Sequence, residues 1–500
     1  MTEPTASTSP APVADPTTLM VDVVVLGAGA VGENVADRAG RTGLSVAIVE
    51  ENLVGGECSY WACMPSKALL RPGAVLAQAR AVAGAAGAVT GGVDVAATLA
   101  SRDAIVHGWD DGSQVEWLDS VGIRLVRGRG RLAGPRRVEV TADGAGTVVL
   151  EARHAVVVAT GSAPVLPDVP GLVELDPWTS REATAVRDVP GSLAIVGGGV
   201  VATEMATALA DLGARVTLLA RGERLLPAFE VFAGEAVAGS LAAMGVDVRL
   251  GARLARAGRG ADGRAHLELV DGTALDVDRV LLATGRRPRT ADLGLETVGL
   301  EPDAPLAVDD AGCVSAVAGG WLWAAGDVTG RTNTTHQGKY DARVAGDAVA
   351  ARFGPGGGDH PVDADGDDGW SPLRAMADHA AVPQVVFTRP EVAAVGLTEE
   401  AARAAGLAVR VVDVPFASVG GTTVFGTGPQ DDGGSARIVV DESRRVIVGA
   451  TFVGPEVAEM LHAATIAVVG QVPLPRLWHA VPAYPTRSEI WLRLLEAYGL

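Results

Sequence analysis

The chain carries one nucleotide-binding pattern twice, and this duplication narrows its possible folds more than any other feature. From Val21 to Glu50 it reads VDVVVLGAGAVGENVADRAGRTGLSVAIVE. An apolar run leads into Gly27, Gly29 and Gly32, an amphipathic stretch follows, and a second apolar run ends on Glu50. The runs predict parallel strands with a helix between them. The glycines allow a tight turn and close backbone approach to a diphosphate at the helix N-terminus, and the terminal carboxylate suits a ribose hydroxyl. The segment SLAIVGGGVVATEMATALADLGARVTLLARGERLL repeats the pattern from Ser192. Here Gly197 and Gly199 are followed by Ala202, and the second strand ends in Ala220 with Arg221 and Arg224 beyond it. A missing carboxylate beside two cations favours a ribose 2′-phosphate, hence NADPH over NADH, although both arginines also fit a solvated surface. Two dinucleotide sites in one chain predict an α/β protein that passes electrons between two cofactors.

Between Gly55 and Lys67 stands GGECSYWACMPSK, with Cys58 and Cys63 five positions apart. On a regular helix such side chains diverge by about 140°, so pairing them needs a distorted first turn, and Pro65 is compatible with one. Two small buried thiols are the alternative. The chain has 3 cysteines in all, too few for a disulfide-stapled scaffold. A helix N-terminus and the Lys67 cation would lower a thiol pKa there.

The dithiol segment resembles the active-site helix of the pyridine nucleotide-disulfide oxidoreductases, the flavoprotein family of glutathione reductase, lipoamide dehydrogenase and mercuric reductase. Further matches are VVVATGSAP with Thr160 and Gly161, VLLATGRRP with Thr284 and Gly285, and WLWAAGDVTG with Gly326 and Asp327. The resemblance implies FAD contacts at Gly27, Gly29, Ala30, Gly32, Glu50, Gly56, Lys67, Gly130, Thr160, Gly161, Gly326 and Asp327, the last on the ribityl chain. Thr335 and His336 open the next helix, implied to point at the flavin. Nicotinamide-nucleotide contacts are implied at Gly197, Gly199, Val201 and Gly285, with Arg221 and Arg224 on the phosphate. Lys67 paired with Glu204 is implied to steady charge near the thiols.

Two Rossmann-like domains, for FAD and NADPH, and a C-terminal α+β dimerisation domain are therefore expected. The expected boundaries are a disordered tail over 1–19, FAD-binding segments at 20–165 and 289–353, and an NAD(P)H-binding domain at 166–288. The Gly- and Asp-rich stretch 354–371 reads as a flexible linker, and 372–500 as the interface domain. The resemblance implies a homodimer whose active sites are completed by the partner's C-terminal residues.

Near the end the pattern departs from the family. Disulfide reductases of this kind carry a His-Pro pair with a glutamate five residues after the histidine, an acid–base dyad for thiol exchange. Here AYPTRSEIW supplies Pro485 and Glu489 but places Tyr484 at the histidine position. His479 lies out of register and reads as a packed or surface residue. Free tyrosine has a pKa near 10 against about 6.5 for histidine, so Tyr484 is a poor base and a good hydrogen-bond donor at neutral pH. Mercuric reductases are similar in having tyrosine there, but this chain ends in WLRLLEAYGL without their C-terminal cysteine pair. Glu57 and Tyr60 replace the usual threonine and asparagine.

With 60 acidic against 41 basic residues and a net charge of −19, the surface argues against nucleic acid or anionic membrane as partner. No run reaches the roughly 18 apolar residues of a membrane span, and the start has no basic or apolar signal; a cytoplasmic location is expected. The leading expectation is an NADPH- and FAD-dependent reductase of a small disulfide. The alternatives are the same relay reducing a metal ion, quinone or other electrophile, and a lipoamide dehydrogenase-like subunit of a 2-oxo-acid dehydrogenase complex.

Overall fold

The computed structural model describes residues 17–142, 146–357, 370–425 and 433–500. The first sheet is built from β1 (Thr17–Leu26), β2 (Val46–Glu50), β3 (Arg124–Arg127) and β4 (Gly146–Val158) in the order β3-β2-β1-β4, all parallel. Leu322–Ala324 pairs in parallel with the end of β4, while Arg137–Ala142 and Arg129–Leu132 extend the sheet in antiparallel fashion. β1 begins at Thr17, inside the segment expected to be a tail, because Thr17 to Leu19 pair with Val148 to Leu150. The rest of that tail, 1–16, lies outside the described residues, as does 358–369 of the expected linker.

The apolar run of β1 is buried on both faces, as a parallel sheet covered on both sides requires. Val23 and Val25 pack with Val35, Ala36 and Ala39 of α1 (Ala30–Gly40), whereas Val24 and Leu26 face Leu132, Val138 and Leu322. Each buried valine or leucine among them contributes about 1.5–3 kcal/mol. After β2 come α2 (Gly56–Tyr60) and α3 (Cys63–Ala81), the two helices that carry the cysteines. Leu69 and Leu70 of α3 join the core of the next unit, against Met205 and Leu209.

That unit is a second parallel sheet, formed by β5 (Ser192–Val196), β6 (Arg215–Leu219), β7 (Asp247–Arg249) and β8 (Arg279–Leu282) in the order β7-β6-β5-β8. Between β5 and β6 runs α4 (Val200–Asp211), and Ala202 is fully buried in it. The chain then returns to the first unit. There α5 (Thr335–Phe353) lays Ala342, Ala345 and Val349 beside α1.

The C-terminal unit is a five-stranded antiparallel sheet covered by helices. Its strand order is Gln384–Val386, Glu391–Gly396, Val446–Gly454, Ser435–Asp441, Val409–Pro415. The short α6 (Gly420–Phe425) and the terminal α7 (Ile490–Tyr498) belong to it, with Ile490 and Leu494 in its core. Among the described residues, no helix is long and apolar enough to cross a membrane.

Candidate active site

The two cysteines do not share one helix. The chain breaks at Trp61 (φ −139, ψ 3) and Ala62 (φ −136, ψ −95), between α2 and α3. This break is the distortion that the spacing demands. It brings the Cys58 thiol into hydrogen-bonding contact with Cys63, and both cysteines are free thiols. Cys63 Sγ also lies 3.2 Å from Thr335 Oγ1, at the first turn of α5. The Cys58 hydrogen bond pulls the Cys63 thiol down to about 6, helped by Thr335 and the Lys67 charge and opposed by burial. Donation to Cys63, and burial, push Cys58 upward. One proton therefore stays on Cys58 while Cys63 carries the negative charge.

Lys67 lies one turn beyond Cys63 on α3, and its Nζ is 2.8 Å from Glu204 Oε2. Glu204, almost fully buried on α4, also accepts from the Phe387 backbone N–H at 2.9 Å. The Lys67 ammonium sits 4.7 Å from the Phe387 ring centroid. Three units of the fold thus fix this one cation.

Two cavities of about 380 and 140 Å³ meet along the first glycine turn. Gly27, Glu50, Gly130 and Thr160 line the larger; Gly29, Ala30, Gly56, Cys58, Gly161, Asp327 and Thr335 line the smaller. Gly27 holds φ +99, and a Cβ there would stand 2.5 Å from the Ala159 carbonyl oxygen. A Cβ on Gly56 would stand 2.7 Å from the Gly29 Cα, so backbone alone forms this floor. Glu50 accepts from the N–H groups of Ala28 and Asn52 at 2.8 and 2.7 Å, and burial raises its pKa. Asp327, also raised by burial, accepts from Ser162 Oγ at 2.6 Å. A cleft with close-approach backbone, a helix N-terminus and two carboxylates spaced along it fits an extended dinucleotide such as FAD.

A third cavity, of about 600 Å³, is lined by Gly199, Val201, Gly285 and His336. His336 therefore sits apart from the first cleft, with Nε2 2.7 Å from the Pro383 carbonyl, and Thr335 is the residue of that pair that reaches the dithiol. Gly32 lies within α1, and Gly326 packs against Val31. Gly197 directly follows β5, beside Ala283. Arg221 is exposed, with no ion pair among the described residues; Arg224 turns back to donate to the Pro227 carbonyl at 3.0 Å.

Tyr484 and Glu489 belong to the C-terminal unit and line none of these cavities. Tyr484 is 78% exposed, whereas Glu489 is buried and accepts from the Gly421 N–H at 3.2 Å. Both flank Gly420, where a Cβ would stand 3.0 Å from Tyr484 Cε2 and 3.3 Å from Glu489 Oε2. Sequence reasoning missed a polar network across the cleft. Glu57 accepts from Arg286 at 2.6 Å and Arg289 at 3.0 Å, and Arg286 Nε donates to Ser162 at 2.7 Å. The available signal was Glu57 at a threonine position together with the arginines of ATGRRPR.

The site is that of a flavin- and nicotinamide-dependent oxidoreductase. Residues 21–342 match the pyridine nucleotide-disulphide oxidoreductase family and residues 382–494 its dimerisation domain, and the chain belongs to this family. Its members use FAD with NAD(P)H as electron donor. Among relatives, a dihydrolipoyl dehydrogenase of Halobacterium salinarum is 31% identical over 95% of both chains. Dihydrolipoyl dehydrogenase 3 of Pseudomonas aeruginosa is 34% identical over 94% of this chain and 96% of its own. A mercuric reductase of Staphylococcus aureus is 28% identical over 94% and 80%. The fold is also that of the HOCl-induced flavoprotein disulfide reductase RclA from Escherichia coli, with TM-score 0.78 and 24% identity over 95% of this chain and 99% of that one.

Proposed function

We propose that the protein is an NADPH-dependent disulfide reductase, converting NADPH, a proton and a disulfide into NADP⁺ and two thiols. The observation that carries this reading is the polarised dithiol, Cys63 accepting from Cys58 and Thr335 beside the Lys67–Glu204 pair. FAD, when bound, supplies the two-electron carrier between the nicotinamide nucleotide and the dithiol. Glu50, Gly130 and Thr160 would hold its adenosine end, Gly29 and Ala30 its diphosphate, and Asp327 its ribityl chain. Cys63 is the sulfur on the flavin side, and Cys58 is the one that attacks substrate. Val201, Gly285 and His336 border the nicotinamide site, and Arg221 is the cation for the 2′-phosphate. The partner subunit's Tyr484 and the partner subunit's Glu489 would complete the site in a homodimer, in a reducing cytoplasm.

Tyr484 favours a second reading, in which the same relay serves an acceptor that needs no thiolate protonation, such as a metal ion, quinone or other electrophile. Relatives named dihydrolipoyl dehydrogenase raise a third, in a 2-oxo-acid dehydrogenase complex, and Ala220 with Arg221 counts against the NAD use it would entail. The deciding experiment is steady-state turnover of a panel of disulfides, quinones and metal ions with each coenzyme. NADPH-driven reduction of a disulfide at the highest kcat/KM supports the proposal. Rapid oxidation of dihydrolipoamide with NAD, and none with NADP, would overturn it.

A further inference from the structure

One cation in the FAD cleft has no carboxylate partner. Arg286 and Arg289 are both engaged by Glu57, but Arg181 makes no ion pair among the described residues. Its guanidinium lies 3.7 Å from the centroid of the Trp61 ring, and its Nε is buried without a hydrogen-bond partner among the described residues. Arg181 lines both cavities of the cleft, and in the smaller it shares the lining with Gly29 and Ala30 at the start of α1. Its position is fixed from two sides. The stacking holds the side chain, and Thr184, three residues on, donates Oγ1 to the Trp61 carbonyl at 2.9 Å.

Stacked guanidinium is rigid, planar and permanently charged, and it pairs with phosphate through two parallel N–H groups. A buried donor left unpaired is costly, and the group expected in this cleft, a dinucleotide diphosphate, is anionic. We propose that Arg181, held on the face of Trp61, is an anchoring residue for the diphosphate of FAD. It would reach across from the start of the nicotinamide-binding unit and close the cleft over the cofactor. The inference rests on FAD as cofactor and is independent of which acceptor the enzyme reduces.

The test is release of FAD from the purified full-length holoenzyme, followed by the rise of free-flavin fluorescence against KCl concentration. Arg181→Gln should weaken FAD retention roughly tenfold to a hundredfold and make release less dependent on salt, because one screened contact is gone. Arg181→Lys, which keeps the charge without the planar fork, should restore most of the retention and keep the salt dependence. Equal release profiles for wild type and Arg181→Gln overturn the proposal. So does equal loss in the Gln and Lys variants with unchanged salt dependence, which marks a packing role on Trp61. If Arg181→Gln does not accumulate, Arg181→Met takes its place as the uncharged variant: weaker retention with a reduced salt dependence supports the contact, and the wild-type profile refutes it.

Discussion

Cys63 is gripped by its own chain, accepting from Cys58 and Thr335 with the Lys67–Glu204 pair beside it; Tyr484, at the other reactive end, stands 78% exposed. Three units of the fold converge on the Lys67 cation that flanks the first, whereas the second rests on one unit beside Gly420. The contrast follows from what each must do. A thiolate poised near neutral pH needs neighbours that are in place before any substrate arrives, since preorganised donors stabilise charge without rearranging. An exposed phenol beside Gly420 and the buried Glu489 has no fixed role until another surface meets it. The chain carries the family's dimerisation domain, and in the proposed homodimer that surface would be a second copy of the chain.

The largest expected effect tests the held end. Cys63→Ser should lower disulfide turnover by roughly 10³-fold or more while leaving FAD bound. Wild type reduced by one equivalent should show a long-wavelength absorption from the Cys63 thiolate against oxidised flavin, and the variant should not. The pH dependence sharpens this. Because the Cys63 thiol is lowered to about 6, its charged form is populated above that pH and lost as pH falls through it. The band should therefore be half-developed near pH 6. A midpoint near 9, the ordinary thiol range, would mean that Cys58, Thr335 and Lys67 do not hold the sulfur as described.

The exposed end should respond in the opposite sense, by gaining activity. A phenol with pKa near 10 is a weak proton acceptor at neutral pH, so small disulfides should turn over slowly, with an alkaline optimum. Tyr484→His beside Glu489 should raise their turnover at pH 7 by about 10²-fold, the low end for a positioned general acid–base, and move the optimum toward neutrality. Acceptors that need no thiolate protonation should change little. Rapid wild-type turnover of a disulfide at pH 7, with no gain in the variant, would make Tyr484 a group that shapes the substrate site.

What the sequence discloses divides along the same line. The glycine turns and the dithiol are local patterns, in which a few neighbouring residues fix both conformation and chemistry. Even the break at Trp61 is implied by two cysteines five positions apart. The polar network of the cleft is not legible in this way. Glu57 meets Arg286 and Arg289 across more than two hundred residues, and Arg181 meets Trp61 across more than a hundred. His336 shows the limit of a motif: it neighbours Thr335 in sequence, yet the helix turns it toward Pro383 and away from the thiols. The start of β1 at Thr17 likewise depends on a partner strand more than a hundred residues away.

Arg221 belongs with Tyr484 among the groups that only a bound partner can fix, and it gives the smallest of these effects. It follows Ala220, which stands where the first unit's matching strand ends in Glu50, so the two nucleotide units differ in charge at one equivalent point. A carboxylate there would repel a 2′-phosphate, and Ala220 removes it. Arg221 is exposed and free of carboxylates among the described residues, whereas Arg224 is partly spent on the Pro227 carbonyl. Charge-assisted contacts range over about 1.5–3 kcal/mol; solvent screening of an exposed side chain puts Arg221 at the low end, about tenfold in kcat/KM. Arg221→Ala should weaken NADPH use by that factor, leave NADH use nearly unchanged, and lose its distinction from wild type as salt rises. Equal use of the two coenzymes by wild type would remove the assignment of Arg221 without touching the dithiol.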